Sequence, residues 1–360
     1  MIFKKYENYL TKLFFKNILI VGVVFVFLSF FLHIFEELKY LEDKENNIFY
    51  PILLTILNIP SIVFEILPFI FLLGVMFFFI NLYEKEEVEL LRSHGVDNYR
   101  ITTIISLASL IMGILLVVIY YSFSANLKSL YLNFKYQFSN SSDHLAEVNE
   151  DGLWIKEKNG GKIFIINATT YKLNSLENIK ITQLDSNYKL IKTIIADNAD
   201  IKKKEWVLKD VKIFSEEKKT EYNKDYNYVS LFNGKIISNL YSNLNSLNIF
   251  QLLKLKQNYQ SIGYSATEIK LHLNKLYSLP IYLTLTTIIG SLLMFRFNYI
   301  KSKFFLVVIG VLVSVTFYYI NYFAILFGKN ETLPVEIAIW LPQLLIFLIC
   351  TLGLTKLNEN

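Results

Sequence analysis

Six apolar runs, each long enough to cross a bilayer, constrain this chain more than any other feature. A helix needs about 20 apolar residues to traverse the hydrocarbon core. Segments 13–35, 53–82, 101–121, 277–297, 304–327 and 335–355 meet that length, three on each side of a long polar stretch. Hydrophobic residues make up 53% of the 360 and charged residues 19%, a balance too apolar for an ordinary soluble domain. The second run carries Pro60, Glu65 and Pro68 and is expected to kink or tilt. The first could pass for a secretory leader, with Lys4, Lys5, Lys12 and Lys16 ahead of it. Its length, and the Glu36-Glu37-Leu38-Lys39 that follows in place of a small-residue cleavage site, identify it instead as a first membrane helix.

Basic residues in the short loops set the orientation. With the N-terminus in the cytoplasm, that side holds Lys4, Lys5, Lys12, Lys16, Lys85, Arg92, Arg100, Arg296, Lys301, Lys303 and Lys356. The opposite short loops hold only Lys39, Lys44 and Lys329. Both termini are therefore expected in the cytoplasm, and the 122–276 insertion on the far side.

Within that insertion, 122–138 keeps helical spacing and reads as a continuation of the third span. From Gly152 the pattern changes to short β-type runs at 153–155, 163–166, 179–181, 191–195 and 206–208. Turn-forming groups separate them at 159–161, 185–187, 197–198 and 209–210. Many short strands with frequent turns predict a sandwich or jelly roll. Helical spacing returns after Asn245, and Ser265 with Glu268 forms a capping-box pattern that opens a helix into the fourth span. The predicted fold class is thus a membrane α-helical protein, six transmembrane helices arranged 3+3, with an inserted all-β jellyroll-like domain. Its expected divisions are 1–138 (spans one to three, with a loop helix at about 84–96), 139–246 (the β domain) and 247–360 (a helical stalk and spans four to six). A β domain held between two stalks should move when the membrane helices move.

Several kinds of chemistry find no support in the residues. The net charge is +5 without a dense basic block, so no nucleic-acid partner is expected. Cys350 is the single cysteine and lies in an apolar run, which rules out an intramolecular disulfide and a cysteine metal cluster. His144 in the insertion has no serine–aspartate pair or second histidine at metal spacing, so the insertion reads as a binding or scaffold module and the chain as a non-enzyme. No phosphate-binding Gly-x-x-x-x-Gly-Lys-Ser/Thr loop is present: Gly160-Gly161-Lys162 runs into Ile163, and Gly328-Lys329 into Asn330. No metal or cofactor is expected, and energy from ATP would have to come from a separate subunit.

The loop after the second span is the most informative stretch: Glu84-Lys-Glu-Glu87-Val88-Glu-Leu-Leu91-Arg92-Ser-His-Gly95-Val96. Val88, Leu91 and, less regularly, Leu90 can share a face of a short helix that Gly95 would stop. As bare pattern it is a solvated amphipathic helix; read more sharply, it is a coupling helix that docks into a cytoplasmic motor.

Here the chain resembles the permease subunits of the lipopolysaccharide-export ABC transporter, the LptF/LptG (YjgP/YjgQ) family, over nearly its whole length. The family's "E-L-x-x-L-R-A-A-G-V" loop is matched by 87–96, with Arg92, Gly95 and Val96 in register. Phe35-Glu-Glu-Leu38 resembles the end of the first span in the LptG branch, and Leu67-Pro68 and Gly74 resemble its second span. Gly152-Leu-Trp154-Ile-Lys resembles the LptG opening of the β-jellyroll, and Trp206-Val-Leu208 a later strand. Ser278-Leu-Pro280 and Trp340-Leu-Pro342 resemble the starts of spans four and six. The Gly-Leu-Trp opening favours LptG over LptF, which stays the alternative.

The resemblance implies a heterodimer with an LptF-type permease, two copies of an LptB-type cytoplasmic ATPase, and an LptC-type periplasmic bridge protein. It implies a bacterial inner membrane location, with the β domain periplasmic. Lipopolysaccharide would enter a V-shaped cavity between the two permeases, with spans one and five as lateral gates. Glu87, Val88, Leu91, Arg92 and Gly95 would form the ATPase-coupling helix, Glu87 facing a basic residue of the ATPase. A phosphorylated glycolipid needs Arg or Lys near the outer surface; the candidates here are His33, Lys39, Lys128 and Lys135, a thin set beside the acidic Glu36, Glu37, Glu42, Asp43 and Glu45. Glu65, a carboxylate deep in a span, is a further contact candidate by the cost of intramembrane charge, or else bonds to another helix near Pro68. Asn321, Glu336 and Gln343 have similar status.

Three other readings fit less well. Lipoprotein-release and mechanical-transmission ABC permeases place their large periplasmic domain after the first of four spans, not between three and three. A membrane sensor would need a cytoplasmic output domain, for which the loops and the tail after Leu354 leave no room. A secondary transporter would carry inverted repeats, and the two halves show none.

Overall fold

The computed structural model describes residues 5–42, 47–137, 153–159, 161–172, 174–186, 188–215, 218–234, 237, 243–261, 264–296 and 303–358. These group into two compact units, Met1–Tyr131 with Thr267–Asn360, and Leu132–Ala266. Among the described residues, six helices in the first unit, one of them running on past Tyr131, are long and apolar enough to cross a membrane: Lys5–Leu41, Leu67–Glu84, Asn98–Lys135, Thr267–Arg296, Phe304–Lys329 and Val335–Lys356.

The first helix, α1 (Lys5–Leu41), runs six residues beyond the apolar run, so Glu36 and Glu37 lie on a helix rather than in a loop. The second run is two helices, α2 (Phe49–Glu65) and α3 (Leu67–Glu84), divided at Ile66. Pro68 explains the division. It has no N–H to give, and its ring clashes with the carbonyl four residues back, whereas in the first turn of a new helix neither matters. Pro60 stays inside α2. The expected kink is therefore a full break, placed by Pro68. The short α4 (Glu87–Ser93) leads to α5 (Asn98–Leu115), which passes through a π-helical turn at Leu116–Tyr120 into α6 (Tyr121–Gln137). That turn left no mark that hydropathy could register.

After the second unit, which ends with α7 (Ile249–Ser261), come α8 (Thr267–Arg296), α9 (Lys303–Lys329) and α10 (Val335–Asn358). The stretch read as one stalk is thus interrupted. The Tyr264 N–H turns back to the Tyr259 carbonyl at 2.9 Å, and a new helix starts two residues beyond Ser265.

In the first unit α3 and α8 form the interior: 67% of the apolar window of each is buried, against 17% for α1 and 22% for α9. Phe14 of α1 packs edge-on against Phe71 and Phe78 of α3. The two helices approach so closely that a Cβ on Gly74 would lie 2.8 Å from Ile18 Cγ1 and 3.1 Å from Ile18 Cα. Polar pairs also cross between helices: Asn81 Nδ2 donates to Asn17 Oδ1 at 2.7 Å, and the Thr287 hydroxyl to Ser109 Oγ at 3.0 Å. The outward faces of α1 and α9 are apolar, with Phe27, Phe31, Phe35, Tyr319 and Phe323 all exposed.

Among the described residues, the second unit carries six antiparallel strands, β1 (Leu153–Asn159), β2 (Lys162–Lys172), β3 (Ser175–Leu184), β4 (Leu190–Asp200), β5 (Glu205–Ser215) and β6 (Lys218–Val229). Each pairs with its neighbour in sequence, in the order β1 to β6. The all-β insertion is present, and its described strands run up and down in one sheet. Alternate residues, among them Ile155, Ile166, Ile181, Ile194, Trp206 and Leu208, fill a single core. Two groups read as turns lie inside strands: Asp197-Asn198 in β4 and Lys209-Asp210 in β5. Asp210 keeps its turn-like backbone, with φ +53°, and the β5–β6 pairing steps over it from Lys209 to Val211. A turn signal became an irregularity in a long strand. β6 is too rich in Lys, Glu and Asn to register as a strand by hydropathy; it pairs along β5 at the edge of the sheet, where charge is tolerated. Gly152 and His144 lie outside the described residues.

Candidate functional site

The loop helix α4 is held by specific contacts at both ends. Glu86 precedes it with φ +56°, a left-handed conformation that turns the chain sharply out of α3. At the far end Gly95, with φ +77°, donates its N–H to the Arg92 carbonyl at 2.9 Å, while Val96 donates to Leu91 at 3.0 Å. This pair of bonds satisfies carbonyls that a helix end otherwise leaves open, and it needs a left-handed residue at Gly95. Val88 and Val96 are buried and Leu91 half-buried, while Leu90 points outward at 59% exposure. Of the three residues assigned to one face, Leu90 is on the other.

Glu87 and Arg92 both have partners within the chain. The Tyr9 hydroxyl of α1 donates to Glu87, 2.8 Å from Oε1 and 2.7 Å from Oε2. Arg92 Nε donates to Asn98 Oδ1 at 3.0 Å, bracing the helix against the start of α5. A second tie runs from Arg100 to Glu7 at 3.4 Å. The first turns of α1 are thereby joined to the loop and to α5. Glu89, Leu90 and Glu86 make up the exposed side. Tyr9 escaped the sequence reading because the contact spans 78 residues of chain; a tyrosine ahead of an apolar run carries no local sign of its partner.

The lipid-contact candidates divide into separate places. His33 Nδ1 lies 2.8 Å from Glu36 Oε2 on the same helix. Lys39 lines an open hollow with Glu42, Asn47 and Pro51. Lys128 is drawn into a cluster: its Nζ donates to Asn58 Oδ1 of α2 at 2.6 Å and sits 4.5 Å from the centre of the Tyr131 ring. The Tyr131 hydroxyl in turn donates to Glu37 Oε1 at 2.8 Å, and Glu37 is only 2% exposed. Glu37 was counted as loop charge; it is a buried acceptor that fixes α1 to α6. Lys135 lies in the last turn of α6, within the second unit.

Glu65 is the last residue of α2, at the break before α3. It lines a cavity of about 230 Å³ together with Lys275, Asn321 and Gln343. Two of the three polar residues grouped with Glu65 from sequence thus share its surroundings, and Glu336 is not among the lining residues. Lys275 is the added member. Its position in an amphipathic stretch ahead of span four gave no reason to single it out.

Comparison with individually curated proteins finds no match. The family model described as "Lipopolysaccharide export system permease LptF/LptG" matches residues 8–356, which takes in every membrane helix, the loop helix and the β domain. A protein of this family is a permease of the lipopolysaccharide export system and a multi-pass inner-membrane protein. By that match over almost its full length, the chain belongs to the LptF/LptG family of lipopolysaccharide export permeases.

Proposed function

We propose that this chain is the LptG-type subunit of the exporter, paired with an LptF-type permease and driven by two copies of a cytoplasmic LptB-type ATPase. In this reading both termini and α4 face the cytoplasm, the β domain lies in the periplasm, and an LptC-type protein receives lipopolysaccharide there. The observation that carries it is α4: a short, acidic helix between two membrane helices, closed by the Gly95 stop, with Glu89 and Leu90 exposed. Such a helix suits a cleft on a motor subunit, and its tie through Tyr9 to α1, beside the Glu7–Arg100 pair that joins α1 to α5, would carry movement into span one. The uncovered apolar faces of α1 and α9 fit a permease partner and lateral gates at spans one and five. Leu153-Trp154 at the start of β1 supports LptG over LptF. The lipid would bind as a membrane guest, with His33, Lys39, Lys128 and Lys135 as the candidate contacts for its phosphates. No cofactor is required in this chain, since ATP would be bound and hydrolysed by the partner.

Purification from the native inner membrane in mild detergent, with mass spectrometry of the retained proteins and lipids, tests this. An ATPase, a second six-span permease and a lipopolysaccharide-type glycolipid are expected. The chain alone, or with only ordinary phospholipid, would contradict the assignment.

A further inference from the structure

The cavity at the α2–α3 break has a composition that apolar packing does not explain. It lies within one chain, walled by α2, α3, α8, α9 and α10. At about 230 Å³ it is far larger than the roughly 10–15 Å³ that a single water needs. Its walls hold one carboxylate, Glu65, and one cation, Lys275, together with the amides Asn321 and Gln343 and the rings of Tyr318 and Tyr322.

Gln343 supplies the second observation. It is 95% buried, that is 5% exposed, and its Oε1 has no hydrogen-bond partner among the described residues. The amide is oriented by its other end: Nε2 donates to Asn321 Oδ1 at 3.4 Å, and Asn321 Nδ2 donates to the Phe317 carbonyl at 2.9 Å. That chain of bonds leaves an acceptor in a membrane helix, where an unmet acceptor is costly and calls for a donor. Tyr318 and Tyr322 stack with ring centres 6.3 Å apart and Tyr318 lies 6.1 Å from Phe69, so aromatic faces, which attract ammonium groups, line the same space.

A ligand that satisfies all of this carries N–H donors and positive charge at one end and an anion at the other. We propose that the cavity binds a primary-ammonium phosphate zwitterion of the phosphoethanolamine type. Its ammonium donates to Gln343 Oε1 and faces Glu65 beside the tyrosine rings, and its phosphate meets Lys275. The inference goes beyond the transport assignment and does not depend on it, because every residue it uses belongs to this chain. Two membrane sources carry this chemistry: a phosphatidylethanolamine headgroup, or a glycolipid decorated with phosphoethanolamine.

The permease in its native complex is exchanged into nanodiscs of phosphatidylethanolamine, phosphatidylcholine or phosphatidylglycerol, and retained lipid is read by native mass spectrometry. Retention of phosphatidylethanolamine over both others by about tenfold is expected, the scale of one charge-assisted hydrogen bond. Choline lacks N–H donors and glycerol lacks the charge. Gln343→Leu and Lys275→Gln should each remove the preference, while Gln343→Glu, which keeps the acceptor, should keep it and guards against loss by misfolding. A glycolipid carrying phosphoethanolamine that displaces the phospholipid, where its undecorated form does not, identifies the glycolipid source; failure to displace identifies the phospholipid. Equal retention of all three lipids, or a preference unchanged in both Gln343→Leu and Lys275→Gln, would overturn the proposal and leave the cavity to water or adventitious lipid.

Discussion

The Tyr9 hydroxyl is shared between the two carboxylate oxygens of Glu87, at 2.8 and 2.7 Å. One residue is in the first turns of α1, the other opens the loop helix, and their bond places the acidic residue assigned to motor contact in direct touch with span one. Removing the hydroxyl in Tyr9→Phe should lower export several-fold. Because the pair is exposed, the thermal midpoint should change little, consistent with about 0–1 kcal/mol for such contacts. Transport assays beside a thermal melt separate the two; a fall in both would make Tyr9 a plain stability residue.

The helix stop at Gly95 depends on its left-handed backbone, with φ +77°. Gly95→Ala should cost about 1 kcal/mol locally and fray the end of α4. Gly95→Asn should cost less, since asparagine accepts that conformation more readily. Hydrogen exchange at the Val96 N–H, which donates to the Leu91 carbonyl across the stop, in the two variants and in wild type gives the order.

Within the β domain, the buried carboxylate of Glu157 accepts hydrogen bonds from Tyr228, from Ser230 Oγ at 2.8 Å and from the Leu231 N–H at 3.1 Å. Burial first, and then the Glu157 charge, push the Tyr228 phenol well above its ordinary value of 10.0. A raised acid favours the protonated folded state, so its contribution is complete below pH 10 and is lost as pH rises beyond it. Melts of the full chain in detergent should therefore fall from pH 10 upward, and less steeply in Tyr228→Phe. At neutral pH that variant should be destabilised by about 1–3 kcal/mol, because it strips a donor from a buried carboxylate.

Lipid contact at span one is a separate expectation. His33→Ala with Lys39→Ala should weaken photocrosslinking of lipopolysaccharide to α1. Lys128→Ala should weaken it at the α2–α6 cluster, where Lys128 already lies against Asn58 and Tyr131. Unchanged crosslinking in both variants would move the phosphate contact to other residues.

The bundle was legible because bilayer length acts over whole segments and registers in hydropathy. Pro68 even marked the break between α2 and α3, since proline acts through its own ring and its missing donor. Gly95 likewise announced its role, because a left-handed stop is a local demand. What could not be read depends on distant partners. Tyr9 and Glu87, Glu37 and Tyr131, and Gln343 and Asn321 meet only after the helices pack. The Asp197-Asn198 and Lys209-Asp210 groups misled for a related reason: their turn propensity is real, but Asn198 and Lys209 pair on both sides and carry the strands past Asp197 and Asp210. β6 was missed because edge strands can be polar, so alternation of apolar residues is no guide to them.

Reconstitution of the permease pair with its ATPase in proteoliposomes containing lipopolysaccharide, with ATP-dependent release to a periplasmic acceptor as the readout, tests the central claim most directly. The account predicts release by wild type and none by Glu87→Lys, whose helical content and assembly of the permease pair remain intact. Wild-type liposomes that release no lipid on ATP addition, or Glu87→Lys liposomes that release it at the wild-type rate, would contradict the account.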